Sequence, residues 1–305
     1  MRDTPSCRHA AAVAAANAVP PRPGYSVTGT GPTVLLLHAS LGSKAQWRAL
    51  TERLSSRFRV IAVDLWAYGD NADWPAPTPF SLDDELQVVA ECLERLMRLR
   101  DPVHVVGHSY GGLVALRLAA SKVRRVASLT LYEPVVARLL NAHDRAPFEQ
   151  LGRHATRLIC DGATRDAARA FVDFWSGAGC YESLPLERQR ALAKRIGKIP
   201  LDFTAALGWP PDGRALQALD VPTMLLVGNR GPALVRRIVD RLAHLLPDAR
   251  VTSFDAGHMG PVTHPEHVNP WIEAFIDRCT TSASGPLEHA LQRAPWRSQG
   301  ASPAM

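Results

Sequence analysis

The feature that most constrains this chain is a sharp change of character within residues 103–116, VHVVGHSYGGLVAL. The apolar residues before Gly107 are β-branched and predict a buried strand, whereas those after Gly112 have the spacing of a helix. A strand that turns directly into a helix at a serine strains the backbone, so the residues two before and two after that serine must lack side chains. Gly107 and Gly111 meet this need, and the turn is predicted to hold the Ser109 hydroxyl above the strand end as a nucleophile.

From Pro32 onward, apolar strand-like segments alternate with amphipathic helical ones. This alternation predicts an α/β fold, with a mostly parallel sheet that helices cover on both faces. Ser81 followed by Asp84 is an acidic variant of the capping box and predicts the start of one helix. Residues 137–220 break the alternation, because they show helical patterns with aromatic residues and no convincing strand. We expect this insertion to form a cap over the carboxyl ends of the strands, where such sheets bind ligands.

Length and composition exclude several classes of protein. A chain of 305 residues can bury one large α/β domain, alone or with an insertion. The formal charge of +6 comes from scattered arginines without a basic run, which argues against a nucleic-acid site. No apolar run reaches the length of a membrane span, and five distant cysteines suggest neither a zinc site nor disulfides. A cytoplasmic location fits this cysteine usage best, and the oligomeric state is left open.

Four segments together make the chain resemble the α/β-hydrolase superfamily from about residue 24 to residue 277. LLLHASLGSKAQW resembles the family's His-Gly segment, VIAVDLWAYGDN its Asp-x-x-Gly-x-Gly segment, VGHSYGG its nucleophile elbow and DAGHMGPVTHPE its histidine loop. Ala39 and Ala67 stand where the family usually has glycine, and both are small enough for the loops to survive. The resemblance implies an eight-stranded, mostly parallel sheet with an inserted all-helical cap. The predicted organisation is a flexible segment at 1–23, a core at 24–136 and 221–279, the cap at 137–220 and a loose tail at 280–305.

The resemblance also implies a catalytic triad. The family runs serine, acid, histidine along the chain, which selects His258 in AGHMG as the base for Ser109. The family's usual acid position falls in LLVGNRGPALVRR, which contains no carboxylate. Glu133, at the end of the strand beside that of Ser109, is therefore the favoured acid, a place from which some relatives take theirs. Two alternatives stay open: Asn229 could accept the imidazole N–H, and Glu133 could be satisfied by backbone amides alone.

The oxyanion hole follows from position in the family pattern. One donor is expected to be the backbone N–H of Tyr110, directly after the nucleophile. The other is expected from Ser40 in the loop after LLLHA, with Leu41 as the adjacent alternative. His38 is expected to be a structural hydrogen-bonding residue beneath this loop.

Serine in the elbow argues for acyl chemistry, since family members that act on haloalkanes or epoxides use aspartate there. The predicted function is a serine hydrolase of esterase, lactonase or thioesterase type, acting through an acyl-enzyme on Ser109 without metal or cofactor. Its substrate is expected to be a small or medium, partly apolar acyl compound, contacted by Trp66, Trp175 and Met259. The bond type stays open, carbon–carbon cleavage included. A non-hydrolytic isomerase or cyclase, a ligand receptor and a degenerate interaction partner are the alternatives.

Overall fold

A computed structural model describes residues 24–75 and 79–284, and these form one seven-stranded sheet with the strand order β1-β3-β2-β4-β5-β6-β7. The strands are β1 (Tyr25–Thr28), β2 (Thr33–Leu37), β3 (Arg59–Val63), β4 (Val103–His108), β5 (Val126–Tyr132), β6 (Thr223–Gly228) and β7 (Ala249–Phe254). Only the pairing of β1 with β3 is antiparallel. The predicted mostly parallel sheet is confirmed. An eighth strand is not found in the described residues, where the short β1 pairs on one side only and forms the edge.

Helices cover both faces of this sheet. The described α-helices are α1 (Arg48–Leu54), α2 (Leu82–Leu96), α3 (Tyr110–Ser121), α4 (Ala142–Cys160), α5 (Thr164–Ser176), α6 (Leu186–Arg195), α7 (Ile199–Gly208), α8 (Gly213–Gln217), α9 (Ala233–Leu245), α10 (Gly260–Thr263) and α11 (Pro265–Ser284). Alternate side chains of β2 enter different cores: Leu35 joins the core under α2, α3 and α9, and Leu36 joins the core under α1 and α11. This two-sided burial explains why the strands are apolar throughout.

The start of α2 and the end of α11 bear on two of the sequence predictions. The predicted capping box at the start of α2 is confirmed, with the Ser81 backbone N–H donating to the Asp84 carboxylate over 2.8 Å. The predicted loose tail at 280–305 is wrong for its first residues, because α11 continues to Ser284. The hydroxyls of Thr280 and Thr281 donate hydrogen bonds to backbone carbonyls in the preceding turn of this helix, which is compatible with its continuation. The remainder of the tail, and the predicted flexible segment at 1–23, lie outside the described residues.

The chain between β5 and β6 is helical, and we refer to residues 137–217 as the helical insertion. An aromatic cluster fills its interior, with the rings of Phe148 and Phe203 centred 4.4 Å apart. Gly152 makes this packing possible, because a Cβ there would lie 2.7 Å from the Phe203 ring. The division of the chain into core and cap domains stays a prediction. None of the described helices is both long and apolar enough to cross a membrane.

Parallel register brings four strand ends to one edge of the sheet. Ser40 follows β2 in the chain, Ser109 follows β4 and Glu133 follows β5. His258 lies four residues beyond the end of β7. Since β2, β4, β5, β6 and β7 all run in the same direction, these residues gather beneath the helical insertion.

Candidate active site

The turn at Ser109 has the strained geometry that the sequence predicts. Ser109 has φ +55° and ψ −115°, a conformation that L residues rarely adopt. A Cβ at Gly107 would lie 2.5 Å from the carbonyl oxygen of Gly111, and one at Gly111 would lie 2.4 Å from the carbonyl oxygen of His38. Side chains at these positions would therefore push β2, β4 and α3 apart, and the glycines allow the turn to close.

Ser109, His258 and Glu133 form a continuous hydrogen-bonded line. The Ser109 Oγ lies 2.9 Å from His258 Nε2, and His258 Nδ1 lies 2.6 Å from Glu133 Oε2. The other carboxylate oxygen of Glu133 accepts the backbone N–H of Gly228 over 2.7 Å. The three side chains are nearly inaccessible, with 5%, 3% and 0% of their residue surfaces exposed. This arrangement can pass a proton from a serine hydroxyl to an imidazole that a carboxylate orients.

The structure does not bring the alternative orienting residue to this line. Asn229 Oδ1 lies 3.4 Å from the guanidinium of Arg236, in an exposed contact. Its backbone N–H donates to the carbonyl of Phe254 over 2.8 Å. Glu133 alone of the two candidates contacts His258, although it also accepts a backbone amide, so both interpretations of that carboxylate describe part of its bonding.

The loop that carries His258 is hydrogen-bonded to residues of the sheet, and an aromatic ring of the helical insertion covers its imidazole. His108 Nε2 lies 2.8 Å from the backbone carbonyl of His258, and the Tyr132 hydroxyl donates to the carbonyl of Gly257 over 2.9 Å. Burial lowers the pKa of His108 well below its ordinary value, so this ring is neutral and donates from Nε2. The indole of Trp175 stacks on the His258 imidazole, with ring centres 4.4 Å apart and planes inclined by 21°. The imidazole is thereby confined between the sheet and the helical insertion.

A small cavity opens beside Ser109, with about 280 Å³ of free space including the solvent at its mouth. Of the predicted site residues, Ser40, Tyr110 and Trp175 line it, whereas Trp66 and Met259 do not. The Trp66 indole instead donates to the backbone carbonyl of Asp84 over 3.1 Å, because its ring packs on the first turn of α2. The backbone carbonyl of Met259 accepts the N–H of Val262 at the start of α10. The cavity is lined by Ser40, Ser109, Tyr110, Val135, Phe148, Phe171, Trp175, Asp202, Phe203 and Ala206.

Several lining residues were not selected from the sequence. Phe148, Phe203 and Asp202 lie on α4 and α7, and Asp202 is the acidic member of the cavity wall. The aromatic enrichment of residues 137–220 was the available signal for the phenylalanines. Nothing in the local pattern distinguishes Asp202 from an ordinary acidic residue in the first turn of a helix.

The two predicted oxyanion donors lie in suitable segments. Tyr110 is the first residue of α3, so its backbone N–H has no acceptor within the helix and lies at the positive end of the dipole. Ser40 lines the cavity beside Ser109 and Leu41 does not, which favours Ser40 over Leu41 as the second donor. His38 accepts the N–H of Leu65 at Nε2 over 3.0 Å, and burial lowers its pKa to about 4, so it is a neutral structural residue.

No three His, Cys, Asp or Glu side chains within residues 24–75 and 79–284 are grouped so that they could hold a metal ion. The chemistry that the site offers is nucleophilic attack by Ser109, general acid and base work by His258, and stabilisation of an oxyanion by backbone N–H groups.

Comparison with known proteins agrees with this fold. The profile of the alpha/beta hydrolase fold family matches residues 32–265. The chain belongs to this family. A protein from Aromatoleum aromaticum (strain DSM 19018 / LMG 30748 / EbN1), named pimeloyl-[acyl-carrier protein] methyl ester esterase, is 32% identical over 256 residues, which cover 80% of this chain and 98% of that protein.

Two further relatives differ in their names. A Bacillus subtilis (strain 168) protein with the provisional name 2-succinyl-6-hydroxy-2,4-cyclohexadiene-1-carboxylate synthase is 27% identical over 273 residues, covering 83% of this chain and 94% of that one. The solved structure of a thermophilic esterase from Thermogutta terrifontis has a TM-score of 0.66 and 26% identity, covering 84% of this chain and 93% of that chain. Relatives of this alpha/beta hydrolase thus carry both esterase and synthase names.

Proposed function

We propose that this alpha/beta hydrolase is a serine esterase that cleaves small, partly apolar acyl substrates through an acyl-enzyme on Ser109. The observation that carries the proposal is the line from Ser109 Oγ through the His258 ring to Glu133, with separations of 2.9 and 2.6 Å. The esterase names of the Aromatoleum and Thermogutta relatives support hydrolysis of an ester rather than another bond.

In the proposed mechanism, the Ser109 oxygen attacks the carbonyl carbon of the ester while its proton passes to His258 Nε2. The C–O bond to the alcohol then breaks, and His258 returns the proton to the leaving oxygen. Water attacks the acyl-enzyme with His258 again as base, which releases the acid and restores the serine hydroxyl. Glu133 keeps the other imidazole nitrogen protonated and stabilises the imidazolium. The N–H groups of Ser40 and Tyr110 bind the oxyanion, a contact for which each donor contributes about 3–4 kcal/mol.

The cavity supports a small acyl group. The side chains of Phe148, Phe171 and Phe203 contribute to its wall, and its free space of about 280 Å³ includes the open solvent at its mouth, so the enclosed part is smaller still. The indole Nε1 of Trp175 is buried and has no hydrogen-bond partner among the described residues. A substrate oxygen near His258 could satisfy this donor, so we infer an acyl compound with a further acceptor beside the scissile carbonyl.

A fluorophosphonate probe that labels activated serines tests the proposal directly. The wild-type protein is expected to be labelled at Ser109 and to hydrolyse p-nitrophenyl acetate or butyrate, and Ser109→Ala is expected to lose both activities while remaining folded. A matched control is Ser128→Ala, since Ser128 is a buried serine on β5 that contacts His104 instead of the site. Equal labelling of the wild type and Ser109→Ala would contradict the proposal.

The synthase name of the Bacillus relative favours one second candidate, a non-hydrolytic lyase, isomerase or cyclase that uses the same residues. Such an enzyme would use His258 and Ser109 to move protons without forming an acyl-enzyme. The two candidates separate in a mass measurement, because only the esterase accumulates Ser109 acylated by a slowly hydrolysed ester.

A further inference from the structure

A second group of buried charges contacts Tyr110, the residue that follows Ser109. Lys198 forms ion pairs with both Glu85 and Asp202, and all three side chains are almost completely inaccessible. The Lys198 ammonium also lies 5.0 Å from the centre of the Tyr68 ring and 4.8 Å from that of Tyr110. We call Glu85, Lys198 and Asp202 the acid–lysine network. The proposed proton transfers use none of its members.

The network touches the side chains of both residues that are proposed as oxyanion donors. The Ser40 hydroxyl donates to Asp202 Oδ2 over 2.5 Å. The Tyr110 hydroxyl donates to Glu85 Oε1 over 3.3 Å. Lys198 lies between the two carboxylates and joins these contacts into one chain. The two segments that carry the donors, one after β2 and one at the start of α3, are therefore connected through buried charges as well as through the sheet.

The network also joins the helical insertion to the core. Asp202 belongs to α7 and Lys198 directly precedes it, whereas Glu85 belongs to α2. Burial opposes the charged form of Lys198, but attraction to Asp202 and Glu85 outweighs it and raises the pKa of this lysine. Lys198 is thus a permanent cation, and its position is fixed by partners on both parts of the molecule.

We propose that Asp202, Lys198 and Glu85 are positioning residues of the oxyanion hole, which fix the Ser40 and Tyr110 segments once the helical insertion is docked. This inference rests on the proposed esterase function. Its physical basis is that a donor misplaced by about 1 Å can cost about 100-fold in rate, so a hole built from two separate segments gains from a shared anchor. The anchor acts through hydroxyls, whereas the oxyanion is bound by backbone N–H groups, and the two roles can be separated by mutation.

Ser40→Ala and Tyr110→Phe remove the hydroxyl contacts and leave both backbone N–H groups in place. Each variant is expected to lower kcat for p-nitrophenyl acetate about 10- to 100-fold, with KM changed less than twofold. Asp202→Asn keeps an acceptor for Ser40 and removes the charge that binds Lys198, and it is expected to lower kcat in the same range. The midpoint of the pH–rate profile should stay that of the wild type, because Ser109 and His258 are untouched.

Two control variants remove comparable buried hydroxyl contacts away from the site. Ser128→Ala loses a 2.8 Å contact with His104, and Tyr181→Phe loses a 3.0 Å bond to the carbonyl of Gln189. Both are expected to keep kcat within twofold of the wild type, whatever they cost in thermal stability. A general effect of lost buried hydrogen bonds would lower kcat equally in the controls and in the network variants, and would overturn the positioning role.

The rate of fluorophosphonate labelling separates failure of this inference from failure of the proposed function. Labelling requires Ser109, His258 and the oxyanion hole but no ester turnover. A wild type that is neither labelled nor active on esters overturns both proposals. A wild type that is labelled at the same rate as Ser40→Ala, Tyr110→Phe and Asp202→Asn keeps the serine chemistry and overturns the positioning role alone. Slower labelling of these variants, with unchanged controls, supports it.

Discussion

Ser109 and Tyr110 are successive residues, yet they lead into two buried polar groups of different construction. Ser109 contacts His258 and, through it, Glu133, all of which lie on strand-end loops of the core. Tyr110 contacts the acid–lysine network, in which Lys198 and Asp202 come from the helical insertion. The hydrogen bonds of the first group join strand-end residues to one another, and the insertion contributes the Trp175 ring that stacks on His258. The second exists only where the insertion docks on the core.

In this alpha/beta hydrolase, the residues proposed for proton transfer therefore lie on different elements from those proposed to position the oxyanion donors. Because parallel strands end at one edge, the sheet brings the proposed nucleophile, base and acid together. The oxyanion segments and the wall of the cavity depend on the insertion as well, through Asp202, Phe203 and Trp175. Changes in the insertion should therefore alter the efficiency and specificity of the site without removing its proton-transfer line.

Strained backbone at the strand ends is a further feature of this edge of the sheet. Leu41, Ala67, Ser109 and Glu133 follow β2, β3, β4 and β5, and each has a φ between +43° and +60°. Such conformations cost about 1–3 kcal/mol for residues other than glycine, and they persist where the surrounding structure holds them. Strain at four successive strands indicates that this edge of the sheet is shaped for function at the expense of stability.

The largest expected effect tests the first group through its acid. Glu133→Gln keeps the shape of the side chain but favours the wrong imidazole tautomer and removes the charge that stabilises the imidazolium. We expect kcat to fall by about four orders of magnitude. Asn229→Ala is the control, since Asn229 is the rival residue, and it should cost less than fivefold. Equal losses in the two variants, measured with p-nitrophenyl butyrate, would contradict the assignment of Glu133.

The second prediction breaks the acid–lysine network at its cation. Lys198→Met fills a similar volume but leaves two buried carboxylates without their partner. Removal of one member of a buried ion pair costs about 3–5 kcal/mol, and we expect the free energy of unfolding in urea to fall by that amount. Lys194→Met, at an exposed position one turn earlier, is the control and should change it by less than 0.5 kcal/mol. A loss below about 1 kcal/mol in Lys198→Met would show that the network is not strongly coupled.

The third prediction concerns the wall that the insertion supplies. Trp175→Ala should shift the ranking of acyl chain lengths toward longer esters by about 10- to 200-fold in relative kcat/KM, because it opens the cavity. Since Trp175 also stacks on His258, Trp175→Phe, which retains a ring, separates the loss of stacking from the gain of volume. Trp209→Ala is the control, as this aromatic residue of the insertion does not line the cavity. A uniform loss for every ester would leave Trp175 with a stacking role only.

The fourth prediction concerns the pH dependence of the free energy of unfolding, to which the buried His104 contributes. Burial lowers the pKa of His104 to about 4 from an ordinary value of 6.5. Between pH 6.5 and pH 4, the His104 imidazole is therefore protonated in the unfolded chain but neutral in the folded chain. The free energy of unfolding falls as the pH falls through this range. This residue alone should cost about 2 kcal/mol between pH 7 and pH 5. His104→Gln should reduce the measured loss by that amount, whereas His244→Gln, at an exposed position, should not. Identical pH dependence in both variants would contradict the burial argument.

The difference between the two groups also explains what the sequence could predict. Ser109 stands in a turn whose glycines are required locally, and the order of the family selects His258, so these patterns were sufficient to predict that the two residues meet. Glu133 could be named because it ends a strand, although its bond to His258 depends on the sheet. The strand alternation predicted the parallel sheet and its two helical faces for the same reason, since each strand carries its own periodicity.

The acid–lysine network could not be predicted, because each member has an ordinary local explanation. Glu85 resembles a favourable acid in the first turn of α2. Lys198 and Asp202 have the i, i+4 spacing of an exposed helical ion pair. Only the docking of α7 on α2 buries them together. The prediction for Trp66 is wrong for a different reason. Its position after β3 suggests that it lines the cavity, but its ring packs against that of Trp74, with centres 5.2 Å apart, and faces α2.

The smallest expected effect tests the strain at the strand ends. Ala67 has φ +55°, a conformation that favours glycine, and it directly precedes Tyr68, whose hydroxyl contacts Asp202. A left-handed conformation costs an alanine about 1–2 kcal/mol, while glycine loses about 0.5–1 kcal/mol more backbone entropy on folding. Ala67→Gly should therefore raise the free energy of unfolding by about 0.5–1 kcal/mol, by the difference of these two contributions.

The matched control for this change has the opposite sign. Ala191 is exposed within α6, where the backbone is helical, and Ala191→Gly should lower the free energy of unfolding by about 1 kcal/mol. If both glycine variants lower stability equally, then the loop at Ala67 holds no strain that glycine can relieve. If Ala67→Gly is more stable and also loses more than fivefold in kcat, then strain in this loop contributes to the position of Tyr68 and, through Asp202, to the oxyanion segments. A more stable variant with unchanged kcat would place that strain outside the acid–lysine network.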